Sequence, residues 1–231
     1  MRSLFTAAAA AALLASSAQA QVGYPPERSP YRDVEFRQEL TLLTGYYAAS
    51  SDPAKVAPRS GPMLGVRYDV RVGGPASLTA RVARVFSERN VLNPALNPGA
   101  GRALGAESWP LYLADAGLTI ALTGQKSLHH LVPVLSAGAG VASDFRSEDV
   151  GGFRVGTTFA LNFGGGVRWV PGGSFQMRAD VTDHLYQISN PGTYFLPTSS
   201  GGAPVLGASQ SRSVWKHNAA ITVGASYLFF R

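Results

Sequence analysis

The chain has no cysteine among its 231 residues. That removes disulfides, thiolate nucleophiles and Cys-ligated metals together. Beyond the first twenty residues it also lacks any apolar run of the roughly 18 residues a membrane-crossing helix needs, so transmembrane helices are excluded. Charge is sparse, with Asp, Glu, Lys and Arg making up 15% of the chain. The formal net charge is +6, yet no basic run or aromatic–basic patch occurs, and nucleic acid is not an expected partner. A modest basic excess suits phosphate-bearing lipid headgroups better.

The N-terminal residues supply an address. Arg2 precedes the apolar run Leu4–Ala15, which is followed by Ser16–Ala20 (SSAQA). A charged start, a short apolar stretch and an A-x-A site predict a secretory signal peptide over 1–20, with Ala18 and Ala20 framing cleavage after Ala20. Residue 21 is Gln, so no lipid-modified cysteine follows. The segment 21–34, rich in Pro and charge, reads as a short periplasmic lead-in, and 35–231 as one domain.

That domain is written in period-two alternation, which marks strands with one apolar and one polar face. The last such segment is the most telling. Trp215, Ala219, Ile221, Val223, Ala225, Tyr227 and Phe229 share a face that His217 interrupts, opposite Lys216, Asn218, Thr222, Gly224 and Ser226. A soluble domain rarely exposes so long an aromatic edge, because unpaired strands aggregate. Seven earlier segments alternate likewise. Phe36, Leu40, Leu42 and Tyr46 oppose Glu35, Arg37, Glu39 and Thr41; Leu64–Val72 is the cleanest, with Arg67, Asp69 and Arg71 on its polar face. The others centre on Leu78–Phe86, Tyr112–Leu122, Leu131–Ser143, Phe159–Trp169 and Phe175–Leu185.

Connections between the eight segments alternate between short and long. Gly73–Pro75, Gly124–Ser127 and Pro171–Gly173 are tight turns. Ala48–Gly61, Arg89–Trp109, Phe145–Val155 and Ile188–Ser213 are long, punctuated by Gly and Pro, and expected to be mobile. Tight turns at one end and long loops at the other are the layout of an outer-membrane barrel. The expected fold is therefore all-β: an eight-stranded antiparallel transmembrane β-barrel, an up-and-down meander with long extracellular loops and short periplasmic turns. A soluble barrel with an apolar interior has the same period. Three patterns favour the membrane: an apolar face nearly free of charge, aromatics gathered near strand ends, and strands mostly of 12–17 residues against the roughly 9–11 that a tilted span requires. Arg84, Asp183 and His217 break the apolar face only towards the loop end.

With eight strands the interior holds side chains and little else. The polar face then predicts a lumen network of Arg37, Glu39, Arg67, Asp69, Arg71, Arg81, Asp115, Arg168, Arg178 and Asp180, with Glu35 and Lys216 as further members. Charges of both signs there are expected to pair, since burial demands it; a narrow charged conduit is the other reading.

Catalytic chemistry is not expected, nor is a metal or cofactor. His129 and His130 are adjacent and, in a strand, would point to opposite faces. His184 shares a face with Arg178 and Asp180 and reads as a lumen residue. His217, near Trp215, reads as a headgroup contact. Ser136 and Ser143 have no carboxylate placed to complete a triad. Gly138-Ala139-Gly140 and Gly164-Gly165-Gly166 lack the helix and Lys-Ser/Thr of a phosphate loop, so they read as small residues for barrel curvature.

On the signal segment, the eight hairpin-linked strands and the aromatic last strand, the chain resembles the small outer-membrane β-barrel proteins of Gram-negative-type bacteria, the group of OmpX and the OmpA transmembrane domain. The resemblance is architectural and covers nearly all of 35–229. It implies residence in the cell outer membrane, contact with its lipid and lipopolysaccharide, and insertion by the barrel-assembly machinery. In that group the machinery reads a terminal strand; here Ile221, Val223, Tyr227, Phe229 and Phe230 match its pattern, with Phe230 or Phe229 as the closing aromatic. A peptidoglycan-binding domain like OmpA's is not expected. The resemblance implies a monomeric, non-enzymatic protein acting structurally or through its loops. A lipid A-modifying enzyme and a narrow solute channel remain the alternatives.

Overall fold

A computed structural model describes residues 29–34, 37–99 and 101–230. The expected signal segment, with Ala18 and Ala20, and the strand residues Glu35 and Phe36 lie outside the described residues. Twelve strands are described: β1 (Tyr31–Asp33), β2 (Gln38–Ala48), β3 (Gly61–Gly73), β4 (Ala76–Val85), β5 (Glu88–Leu92), β6 (Ala103–Ser108), β7 (Leu111–Ala121), β8 (Lys126–Leu128), β9 (Leu131–Ser143), β10 (Thr157–Gly172), β11 (Phe175–Ser189) and β12 (Ser213–Phe229). Eight of them form a closed antiparallel barrel in the order β2–β3–β4–β7–β9–β10–β11–β12. Each pairs with the next along the chain, and β12 returns to β2 in a register running from Ala219 opposite Ala48 to Phe229 opposite Gln38. Closure gives each of the eight barrel strands a neighbour on both sides.

The alternation of the sequence is the alternation of the wall. On β2, Thr41 is fully buried while its neighbour Leu42 is 60% exposed; on β12, Thr222 is 4% and Ile221 60% exposed. Across all eight strands the face that the alternation assigns to the wall's outside points outward, and the opposite face, polar over the middle of the strands, points inward. Three strands are shorter than the expected 12–17 residues: β2 and β7 have 11 and β4 has 10. Chain leaving β4 bends at Phe86–Ser87 into β5, which pairs with β6 instead of continuing up the wall, and Pro110, which has no N–H for a ladder, precedes β7. β10, β11 and β12 run to 16, 15 and 17 residues; β12 extends beyond β2 at the loop end, its register with β2 beginning at Ala219, while β10 begins level with the end of β9, Thr157 opposite Ser143.

Two features depart from the sequence reading. The connection 89–109, expected to be irregular, carries the β5–β6 hairpin. At the opposite end, β1 pairs with β8, so the lead-in is tied to the turn after β7. That turn also relocates two histidines. His129 and His130 both have positive φ, 50° and 66°, so they sit in a reversal and not on opposite faces of a strand; Nδ1 of His130 lies 3.0 Å from the Val170 carbonyl oxygen. The inward glycines do serve packing: a Cβ on Gly140 or Gly164 would collide with the Ala114 or Val181 carbonyl of the adjacent strand.

Candidate functional site

The barrel interior is divided into two levels. The lower, towards the short turns, holds interlocked ion pairs. Arg67 donates to Asp69 from Nε at 2.7 Å and from Nη2 at 2.9 Å, and reaches Thr119 Oγ1 at 2.6 Å. Arg178 clasps Asp180 in the same way, at 2.6 and 2.9 Å, and its Nη1 donates to Asp69 at 3.2 Å and Glu39 at 3.4 Å. Arg168 reaches the other Glu39 oxygen at 3.1 Å. Arg81, opposite Arg67 in the register, pairs with Asp115 at 3.1 Å and donates to Thr182. Two-residue spacing on one strand places Arg67 beside Asp69 and Arg178 beside Asp180 on the same face, and bidentate geometry makes each pair rigid. Thr41, Thr79 and Ser226 fill remaining donor and acceptor positions.

Two residues expected in this network are not in it. Arg37 is exposed ahead of β2, with its backbone N–H donating to the Phe230 carbonyl. Arg71 lies at the turn end, where Nη1 donates to the Val34 carbonyl at 2.7 Å, without an ion pair among the described residues. Both stand where the wall runs out, so solvent or backbone replaces a carboxylate. Lys216 points inward but near the other rim, where it donates to the Ser51 carbonyl.

The upper level, beneath the long loops, is apolar. Leu43, Tyr47, Met63, Val85, Leu111, Leu113, Tyr186 and Ile188 point inward from the strand tops, and Val56, Phe153, Tyr194 and Leu206 descend from three different loops to meet them. His184 belongs here: it is 1% exposed, its Nε2 has no partner among the described residues, and its ring lies 6.2 Å from that of Tyr47, whose hydroxyl donates to Tyr186 at 3.0 Å.

Polar pins hold the loops over this core. Arg89, fully buried, pairs with Asp149, and its guanidinium lies 4.2 Å from the Trp109 ring centroid and 4.8 Å from that of Phe153. Trp109 Nε1 donates to Asp144 at 2.9 Å, and Asp144 also accepts from the Val155 and Gly156 amides. Asp149 accepts from the Gly151 and Phe153 amides, both at 2.8 Å. Burial, with the Asp149 carboxylate as a second cause, pushes the Tyr194 phenol well above its ordinary pKa. Loops expected to be mobile therefore form a packed cap.

Outside the wall, Nδ1 of His217 lies 2.6 Å from Asp183 Oδ2, and Asp183 also accepts from the Asn218 amide. Further towards the loops on the same outward faces, the Ser189 and Ser213 hydroxyls are 2.9 Å apart and bonded to each other. Two hollows open among the loops. One, of about 490 Å³, includes Ser143, Arg146, Arg154 and Thr157; the other, of about 530 Å³, lies within 49–60. At the turn end, the last-strand aromatics form a cluster: Phe229 stacks 6.1 Å from Tyr68 and 6.3 Å from Tyr227, with Phe175 5.2 Å beyond.

No family model matches the chain, and no curated protein is detectably similar to it in sequence. Its similarity to solved structures is clear. Neisserial surface protein A matches over 83% of this chain and 97% of its own at 14% identity, with a TM-score of 0.50. The outer membrane protein OprG of Pseudomonas aeruginosa matches over 85% and 98% at 12% identity, also with a TM-score of 0.50. At these identities the likeness is one of fold: a closed eight-stranded antiparallel barrel of the kind found among small outer-membrane proteins.

Proposed function

We propose that the protein is an integral outer-membrane barrel that reaches its place by a leader cleaved after Ala20, sits there as a monomer, and acts without enzymatic chemistry through its capped loop end. One observation carries this reading. The outward face of the eight strands is apolar and exposed but for Arg84, Asp183 and His217 towards the loops, with Leu42, Val82 and Ile221 each about 60% exposed, around an interior occupied by charge pairs and an apolar core. Only a lipid environment makes that arrangement favourable, and a closed barrel is one of two ways to cross it. Exposed aromatics support two interfacial belts: Tyr46, Phe86 and Trp215 near the loops, Trp169, Phe175 and Tyr227 near the turns. Ile221, Val223, Tyr227, Phe229 and Phe230 are the residues on which the assembly machinery would act. A filled interior argues against a solute channel.

The second reading, a lipid-directed hydrolase, draws on the His217–Asp183 pair, whose short contact could orient an imidazole as a base. Among the described residues no hydroxyl is bonded to the pair, and Ser189 and Ser213, on the same outward faces, are engaged with each other. Membrane fractionation combined with gel mobility before and after boiling tests the main reading; a heat-sensitive, faster-running outer-membrane species is expected, and recovery as a soluble periplasmic protein would overturn it. Purified barrel should give no discrete conductance steps in planar bilayers. Matching lipid A mass spectra from cells with and without the gene would remove the hydrolase.

A further inference from the structure

The lower lattice is one carboxylate short at its turn end. Among the described residues, the inward face of the lower level carries five arginines, Arg67, Arg71, Arg81, Arg168 and Arg178, against four carboxylates. Asp69, Asp115 and Asp180 are taken by Arg67, Arg81 and Arg178. Glu39 divides its two oxygens between Arg168 and Arg178. Arg71 is left over. Its guanidinium holds only the Val34 carbonyl, a dipole where the other arginines meet full charges.

The shortage of acceptors extends beyond one residue. The charges that act on Arg71 are those of Arg168 and Arg37, both of its own sign. Arg37 stands across the β2–β3 seam, its carbonyl accepting from the Arg71 amide at 2.8 Å, and its side chain is exposed. Behind them, Gln176 is 2% exposed and accepts from Arg168 through Oε1 at 3.3 Å. Its Nε2 and the Nε of Arg168 are buried donors without an acceptor among the described residues. Unmet buried donors cost free energy, and a cation without a counter-charge costs more. The mouth is also fixed in shape. Val34 packs on Val132 and Val134, and β1 just before it pairs with β8, so the carbonyl that Arg71 grips is held in place. Arg71 itself is only half-buried and can be reached from solvent at the turn end.

We propose that the turn-end mouth of the barrel binds a soluble, doubly charged oxyanion of the phosphate or sulfate type, with Arg71 and Arg37 donating to it and Arg168 supplying positive charge from behind. Planar, bidentate guanidinium donors suit such an anion, and two arginines with further like charge behind them offer more donors than one carboxylate accepts. The donors stand on the inward side of the strands, so the wall separates them from lipid, and a soluble anion fits better than a lipid headgroup. The bound anion would complete the lattice and tie the lead-in to the wall. The inference goes beyond the membrane reading and needs only the closed barrel.

The test is titration calorimetry of the full-length barrel in non-ionic detergent at constant ionic strength, with inorganic phosphate, sulfate and acetate as probes. Wild type should show one saturable site for phosphate and for sulfate, with acetate at least about tenfold weaker. Arg71→Gln should weaken phosphate binding by about tenfold or more. Gln176→Glu, which places a carboxylate inside the cluster, should abolish it. Arg84→Gln removes the same charge at the loop end, where the guanidinium lies 4.8 Å from the Phe86 ring centroid and 5.6 Å from that of Tyr112, and should bind as wild type does. No saturable site in wild type, equal binding by Arg71→Gln, or equal affinity for acetate would overturn the proposal. Loss of phosphate binding on adding phosphatidylglycerol would overturn it in favour of a lipid headgroup. Binding that appears only in Glu35→Gln would overturn it by making the missing carboxylate internal. Heat-dependent mobility shows that each variant is folded. Mobility without binding in wild type fails the site alone, whereas binding by a protein that fractionates as soluble fails the membrane reading alone.

Discussion

The two levels of the barrel interior are built on the same inward positions of the same strands, yet they share almost no chemistry. Below, Arg67, Asp69, Arg178 and Asp180 occupy one lattice linked through Asp69, which touches both Arg67 and Arg178, and through Arg178, which touches Asp69, Asp180 and Glu39. Above, Leu111, Leu113 and Tyr186 pack against loop side chains. The lower level is self-sufficient, because strands alone supply both signs. The upper level is completed only when loops fold over it. The lower half thus gives the wall a rigid, directional interior, while the upper half couples loop conformation to barrel packing.

Breaking the lower level should have the largest effect. Arg178→Met strands Asp180 in a buried site and leaves Glu39 with Arg168 alone, and should cost about 3–5 kcal/mol in urea unfolding from lipid vesicles. Adding Asp180→Asn to it should recover much of that loss, since it is the unpaired charge that is costly. In the upper level, Leu111→Ala removes a fully buried side chain and should cost about 2–4 kcal/mol by the same titration. If both levels respond equally to loss of loop contacts, the contrast between them fails. Arg89→Met tests that: by opening the Asp149 pin it should raise the rate of limited proteolysis within 89–109 and 144–156, and lower the unfolding midpoint of the barrel by less than Arg178→Met does, since Asp149 keeps its two backbone amide donors. The smallest effect belongs to Arg154→Gln, whose exposed 3.5 Å contact with Glu148 should be worth less than about 1 kcal/mol.

Which half was readable from sequence follows from the same contrast. The lower level and the facing of all eight strands were legible because polar and apolar residues alternate strictly there, as in Leu64–Val72, and one periodicity implies one burial pattern. Near the loop end the alternation disappears. Leu42-Leu43, Tyr46-Tyr47 and Leu111-Tyr112-Leu113 place apolar side chains on both faces, so inward Leu43, Tyr47 and Leu111 carry no signal distinguishing them from the wall. The loop cap was hidden for a related reason: Val56, Phe153 and Leu206 are isolated apolar residues among Gly and Pro, and their burial depends on contacts distant in sequence. The β5–β6 hairpin is masked by Asn97-Pro98-Gly99, which reads as irregular chain, and β1 and β8, of three residues each, are too short to show a period. At the outer rim, Arg84 was legible as an exception to the apolar face, but its aromatic neighbours on β7 and after β9 came together only through strand pairing.

The pairing of β12 with β2 has a consequence for how the molecule is made. Thr41 and Ser226, 2.8 Å apart across this seam, are separated by 185 positions along the chain. Until β12 is in place, seven strands can form a curved sheet but not a ring, and both of its margins present unpaired backbone groups. Assembly is therefore gated by the arrival of one segment, and every earlier intermediate is adhesive at two edges. A chain held at that stage would be the species most prone to join a neighbour instead of itself, and shielding those margins is the task that a folding helper would have to perform.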